Sequence, residues 1–380
     1  MKELLKDFKN TKGLDIYYGF LHLLVAFTSI VFVCQVTGFN IPLAFLTVGI
    51  GTILFHGVTK NKLASIMGVS GSYVGGMIAV NQQFGLPYVV GGVIISAVIY
   101  MLFGLLLIKW QDKVMKLFPN YILNMAVFFI ALTLIPIGLN MAQNDIFTAL
   151  MSILFVLIFD RVKPTKIFAM PLGLIAGTII STFKNGLLHT EIATTIQFTT
   201  PAFNLQSFSL IGVVSLAVIF EALGDTKNTG NAQGIDAFKE VGIGKILFGN
   251  GLSSLVSGSM GSLPLTTYSE NVGFLYMSKY TKPTAQLWTA IFYIALAFIS
   301  PLVFFIGYIP MAALGGLLLY LFSLIGISTL NELHIENDNQ SMVCIVMMIM
   351  FFAAPYISTS ISPIALAMII GLILNIINRR

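Results

Sequence analysis

Read as a string of apolar and polar positions, the chain is a succession of hydrophobic runs, most of them long enough to cross a bilayer as a helix, separated by short polar stretches. The runs fall near residues 14–37, 40–58, 63–84, 87–108, 119–140, 145–160, 167–183, 207–226, 241–258, 259–278, 284–307, 310–330, 342–356 and 360–377. This pattern predicts an all-α polytopic membrane protein of about 14 transmembrane spans. Two runs, the third and the tenth, depart from an uninterrupted apolar helix.

Around the tenth, Gly258, Ser259, Gly261, Ser262 and Pro264 loosen the backbone and remove a donor, which predicts an extended piece. Helix formers return from Thr267, so a helix begins partway through the membrane. The third run carries Gly68, Ser70, Gly71, Ser72, Gly75 and Gly76, with the β-formers Tyr73 and Val74 among them. Small residues of this kind also serve close helix packing. Position favours the other reading: each interrupted run is the third of seven, and an odd number of spans inverts the second set. The chain is therefore expected to form two inverted seven-span repeats, residues 14–183 (spans 1–7) and 207–377 (spans 8–14). Short extended segments are expected in spans 3 and 10. Paired interruptions of this type mark a transporter site, where half-helix N-termini aim free amides at substrate.

Charge supports the count. With the N-terminus on the cytoplasmic side, the inner segments and span edges carry 19 of the 20 basic residues, and only Lys184, in the long outer loop before the eighth span, is left over. Both termini are thus expected in the cytoplasm. The charged start leads into an apolar run lacking a small-residue cleavage site, which reads as an uncleaved first span. The composition, 57% hydrophobic and 9% charged with a mean hydropathy of +0.92, excludes a soluble globular domain. Cys34 and Cys344 fall in apolar runs and read as packing residues, with no metal site implied.

Against this apolar background the embedded ionisable residues stand out. Glu270 lies nine residues before Lys279, which at about 1.5 Å per residue puts it roughly 13 Å deep, near the midplane of a core about 30 Å thick. One account makes it the third residue of a capping box begun by Thr267. A cap is worth only about 1 kcal/mol, however, whereas a carboxylate at that depth costs about 2.5 to 3.5 kcal/mol. A ligand-facing role is the better account. In the eighth span Glu221 and Asp225 are four residues apart on one helix face, Glu221 the deeper. His22, in the first span, either bonds a backbone carbonyl or handles protons. Enzyme chemistry finds no support: Asp225 sits in Ala222-Leu223-Gly224-Asp225, unlike an intramembrane aspartyl protease, and there is no nucleophile, metal cluster or nucleotide motif.

The stretch GSLPLTTYSENVG, residues 261–273, resembles the tenth-span signature of the nucleobase-ascorbate transporters, or nucleobase:cation symporters of the second type, and especially their bacterial uracil and xanthine permeases. The Glu221 helix with Gly224 and FLHLL around His22 resemble that family's eighth- and first-span elements. The resemblance implies a core domain (spans 1–4 and 8–11) and a gate domain (spans 5–7 and 12–14) with substrate between them. Glu221 and Glu270 would accept from ring N–H groups. Amides near Ser269 and near Tyr73 or Val74 would donate to exocyclic oxygens, and Tyr268 would shape the pocket. It further implies import of a nucleobase, uracil above all, without a cofactor, in a homodimer in the bacterial plasma membrane. The depth of the embedded acids points to proton symport, with Glu221 as the coupling acid and Asp225 and His22 as relay or tuning groups. Asp225 looks xanthine-type, whereas Glu270-Asn271 looks uracil-type. A xanthine permease, sodium coupling and, more distantly, a passive channel are the alternatives.

Overall fold

A computed structural model of the chain describes residues 11–117, 119–163, 165–187, 190–212, 214–331, 333–357 and 363–378. Over these residues the chain is predominantly helical. In order run α1 (Gly13–Thr37), α2 (Ile41–Thr59), β1 (Met67–Val69), α3 (Val74–Phe84), α4 (Leu86–Leu117), α5 (Asn120–Ala142), α6 (Ile146–Arg161) and α7 (Ala169–Asn185). A wide π-turn at Phe208–Gly212 then leads into α8 (Ser215–Gln233), α9 (Ile243–Ser259), β2 (Leu265–Thr267), α10 (Ser269–Ser278) and α11 (Pro283–Ala297). The chain continues through α12 (Ser300–Ile306), α13 (Met311–Asn331), α14 (Asp338–Ile357) and α15 (Pro363–Ile377). Among the described residues, six helical stretches are long and apolar enough to cross a membrane, or up to seven if one bent pair counts as a span.

Local chemistry sets the element ends. Asn40 starts α2 by accepting the Leu43 amide at 2.9 Å, with Pro42 in the first turn, where its missing N–H is not needed. Gly38, at φ 80°, ends α1 in the left-handed conformation. The run expected as a single span over 284–307 is instead two helices bent by 87° between α11 and α12. Pro301 explains the break, because its ring would collide with the carbonyl four residues earlier and it offers no amide to continue the ladder.

By packing, the helices sort into two groups. In the first, α9 packs on α4 and α2, α11 on α2 and α1, and α8 and α10 lie against each other beside them; in the second, α13 packs on α5, α6 and α7, and α14 on α15. Helices buried in lipid gain little from hydrophobicity against one another, so close approach matters. Gly49 provides it between α2 and α11, where a Cβ would sit 2.5 Å from the Ala290 carbonyl oxygen. Tyr293 adds a hydrogen bond to the Leu23 carbonyl at 2.9 Å. Lys184, the one basic residue expected outside, lies 2.6 Å from Asp145 Oδ1, so its charge is paired at that end.

Candidate functional site

The extended pieces of the third and tenth runs meet. β1 and β2 pair antiparallel, with Met67 opposite Thr267, Gly68 opposite Thr266 and Val69 opposite Leu265. Two three-residue strands at membrane depth leave backbone groups that no water satisfies, and neighbouring helices supply the partners. On the β2 side, α9 does so. Asn250 Oδ1 accepts the Thr267 amide at 2.7 Å, Ser254 Oγ accepts the Leu265 amide at 2.8 Å, and Ser257 donates to the Leu263 carbonyl at 2.6 Å. On the β1 side, α2 does the same: Thr52 Oγ1 accepts the Met67 amide at 3.0 Å, and His56 Nε2 donates to the Ser65 carbonyl at 2.8 Å.

His56 carried no signal in the sequence. In the structure it is wholly buried, with Nδ1 2.7 Å from the Asn61 side-chain amide. His56→Ala is expected to cost about 2 to 3 kcal/mol, because it strands two buried partners, and a thermal-unfolding scan in detergent measures the loss. An unchanged midpoint would show that the turn before β1 is held by other contacts.

Each strand runs into a helix. After β1, Ser70 caps a 3₁₀ turn over Gly71–Tyr73, its Oγ accepting the Ser72 amide at 3.2 Å, and α3 follows. After β2, Tyr268 is the N-cap of α10, with no side-chain capping bond. The capping-box account of Glu270 requires Thr267 as the N-cap. Thr267 is not the N-cap, and its amide is taken by Asn250. The first-turn amides of α10 are the donors that any helix start leaves open. Backbone places Ser269 and Glu270 in that turn, and their side chains lie outside the described residues.

Glu221, on α8, faces the start of the first half-helix. Ser70 Oγ and Ser72 Oγ both donate to its Oε2, at 2.8 and 2.7 Å. The neighbouring α5 and α15 of the second group also touch α8, so this carboxylate sits where the two groups meet. Asp225 lies one turn further along the same face of α8 and is buried, at 8% exposure.

The other expected site residues are only partly brought together. The Tyr73 amide donates to the Ser70 carbonyl at 3.3 Å and the Val74 amide to the Gly71 carbonyl, so neither is the open donor expected there, because the Ser70 cap has turned that stretch into a closed 3₁₀ turn. The Tyr73 phenol points away to Ser96 on α4. Tyr268 is 4% exposed, and its ring lies over β1, so close to Gly68 that a Cβ there would sit 2.2 Å from Tyr268 Cδ2. His22 does not join Glu221 and Asp225. It pairs through Nε2 with Gln286 Nε2 at 2.9 Å and meets the Phe274 ring edge-on at 4.4 Å.

With this geometry in place, comparison with known proteins adds a family. The model of the Permease family matches residues 14–362. A probable uracil permease of Haemophilus influenzae is 25% identical over 388 residues, covering 95% of this chain and 93% of its own length. The putative pyrimidine permease RutG of Escherichia coli is 27% identical over 336 residues, with 82% and 75% covered. The uracil permease of the same organism is 28% identical over 335 residues, with 82% and 77% covered. Among solved structures, the transmembrane domain of the cyanobacterial bicarbonate transporter BicA superposes with a TM-score of 0.68 at 16% identity, covering 95% of this chain and 96% of that one. SLC26A9 gives 0.73 at 11% identity, covering 96% and 65%. These structures share the fold.

Proposed function

The chain belongs to the Permease family, and from that membership and the strand pair from which α3 and α10 depart we propose that it is a secondary active transporter importing a nucleobase, with uracil as substrate, by proton symport. The observation that carries this reading is the Glu221 carboxylate, held by Ser70 and Ser72 beside the β1–β2 pair. A planar lactam alternates N–H donors and carbonyl acceptors. It suits the Glu221 carboxylate and a second acid, Glu270, carried in the first turn of α10 beside the open amides near Ser269, with Tyr268 closing one side. Tyr73 and Val74 contribute wall and position rather than free amides.

In this reading Glu221 carries the proton, Asp225 passes it one turn further along α8, and His22 tunes the far flank through Phe274. The sorting of the helices into two packing groups supports a division into two parts, and in the same reading a core (spans 1–4 and 8–11) and a gate (spans 5–7 and 12–14) alternate access. They arise from two inverted seven-span repeats within fourteen spans. A homodimer in the bacterial plasma membrane with both termini cytoplasmic completes the proposal, and no cofactor is required.

Asp225 favours a second reading, a xanthine or related purine permease. One experiment separates them: labelled uracil uptake into proteoliposomes under an imposed proton gradient, competed by a panel of purines and pyrimidines. The expected result is concentrative uptake, competed by uracil and not by xanthine, that collapses with a protonophore. Competition by xanthine at lower concentration than by uracil, or concentrative uptake of labelled xanthine where labelled uracil is not taken up, supports the second reading, and dependence on sodium moves the coupling ion. Uptake that never exceeds equilibrium overturns symport and favours a passive route such as a channel.

A further inference from the structure

The fourth hydrophobic run reads as plain scaffold, yet α4 carries two polar side chains on one face, Ser96 and Tyr100, four residues apart and each 1% exposed. They reach different halves of the site. Ser96 Oγ and the Tyr73 hydroxyl share a hydrogen bond of 2.5 Å, and Tyr73 closes the 3₁₀ turn from which α3 departs. The Tyr100 hydroxyl and Thr266 Oγ1 lie 3.2 Å apart, and Thr266 is the residue of β2 directly opposite Gly68. One helix face therefore holds the first interrupted segment by one bond and the second by another.

That face is itself fixed. α4 is pressed against α9, where a Cβ on Gly251 would lie 2.9 Å from the Ala97 carbonyl oxygen and 2.6 Å from Met101 Cγ, so only glycine permits the crossing. α9 in turn clasps β2 through Asn250 and Ser254, and the approach to it through Ser257. α4 and the α9 packed against it thus brace the two half-helix starts, and the three-residue strand pair alone is too short to set their spacing.

We propose that Ser96 and Tyr100 are positioning residues. They set the separation between the start of α3, where Glu221 is anchored, and the start of α10, and so set the affinity for the planar ligand. The proposal rests on the functional reading above. A ligand recognised at both half-helix starts gains its full hydrogen bonding only when their spacing is held to a fraction of an ångström.

The test uses variants that each remove a hydroxyl and leave the packing, Tyr100→Phe, Tyr73→Phe and Ser96→Ala, in the full-length protein in proteoliposomes. Each is expected to raise KM for uracil about tenfold, with maximal rate within about twofold and a modest fall in the ligand-free thermal midpoint, because each strands one buried hydroxyl. Tyr73→Phe with Ser96→Ala removes a single bond and is expected to match the single variants. Tyr73→Phe with Tyr100→Phe removes both and is expected to raise KM about a hundredfold. Unaltered KM with a lowered midpoint, or loss of the variants from the membrane, overturns the proposal, because the hydroxyls then serve only the fold. Wild-type protein that takes up no nucleobase overturns the functional reading instead, so the two failures are distinct.

Discussion

Glu221→Gln is expected to abolish accumulation of uracil against a gradient and to weaken uracil binding by about a hundredfold or more. Both serine hydroxyls point at the same oxygen, Oε2, which leaves Oε1 to accept from a ring N–H. An amide cannot reproduce this. If its oxygen takes the serines, its NH2 faces the ligand donor; if it turns the oxygen to the ligand, the NH2 meets two hydroxyls that must reverse. Hydrogen bonds to a charged group contribute about 1.5 to 3 kcal/mol each, and 1.4 kcal/mol is tenfold, which gives the expected factor. The amide also binds no proton at this position, so any residual exchange should lose its dependence on external pH. Counterflow and net uptake measured across a pH series check both claims. A variant that still concentrates uracil with wild-type pH dependence transfers the coupling role to Asp225.

The sequence made the anomalies visible but not their supports. Glycine, serine and proline in the third and tenth runs announced the extended pieces, because no stable helix places them together at that depth, and β1 and β2 appear there. Glu221 was legible because a carboxylate in an apolar run is costly. Asn250, Ser254 and His56 were not, since a polar residue in a small-residue helix or at a span edge looks like packing until the strand it serves is placed beside it. Ser96 and Tyr100 were hidden for the same reason. The break before α12 coincides with Ser300-Pro301, but hydropathy continues across it, so the apolar run alone does not report it. His22 is embedded, as its apolar run implies, but periodicity does not report that its neighbours are Gln286 and Phe274 rather than the acids of α8.

Gly68→Leu is expected to remove transport altogether. Gly68 pairs opposite Thr266, and the Tyr268 ring occupies the space where a side chain would go: a Cβ would lie 2.2 Å from Cδ2 and 2.6 Å from both Cγ and Cε2. Contacts below 3 Å are not accommodated by small adjustments in a close-packed interior, so either the strand pair opens or Tyr268 moves. Tyr268 is the N-cap of α10, and moving it shifts the first turn that carries Ser269 and Glu270. The clash has one identifiable partner, which gives the prediction a rescue arm. Gly68→Ala alone should lower uracil affinity at least tenfold, whereas Gly68→Ala combined with Tyr268→Ala should be no worse than Tyr268→Ala by itself, the signature of coupling between touching residues. Uracil affinities from counterflow, with thermal midpoints taken alongside, supply the four corners of the cycle. Strictly additive losses, or wild-type uptake by Gly68→Leu, would mean that the ring over β1 does not fix the start of α10.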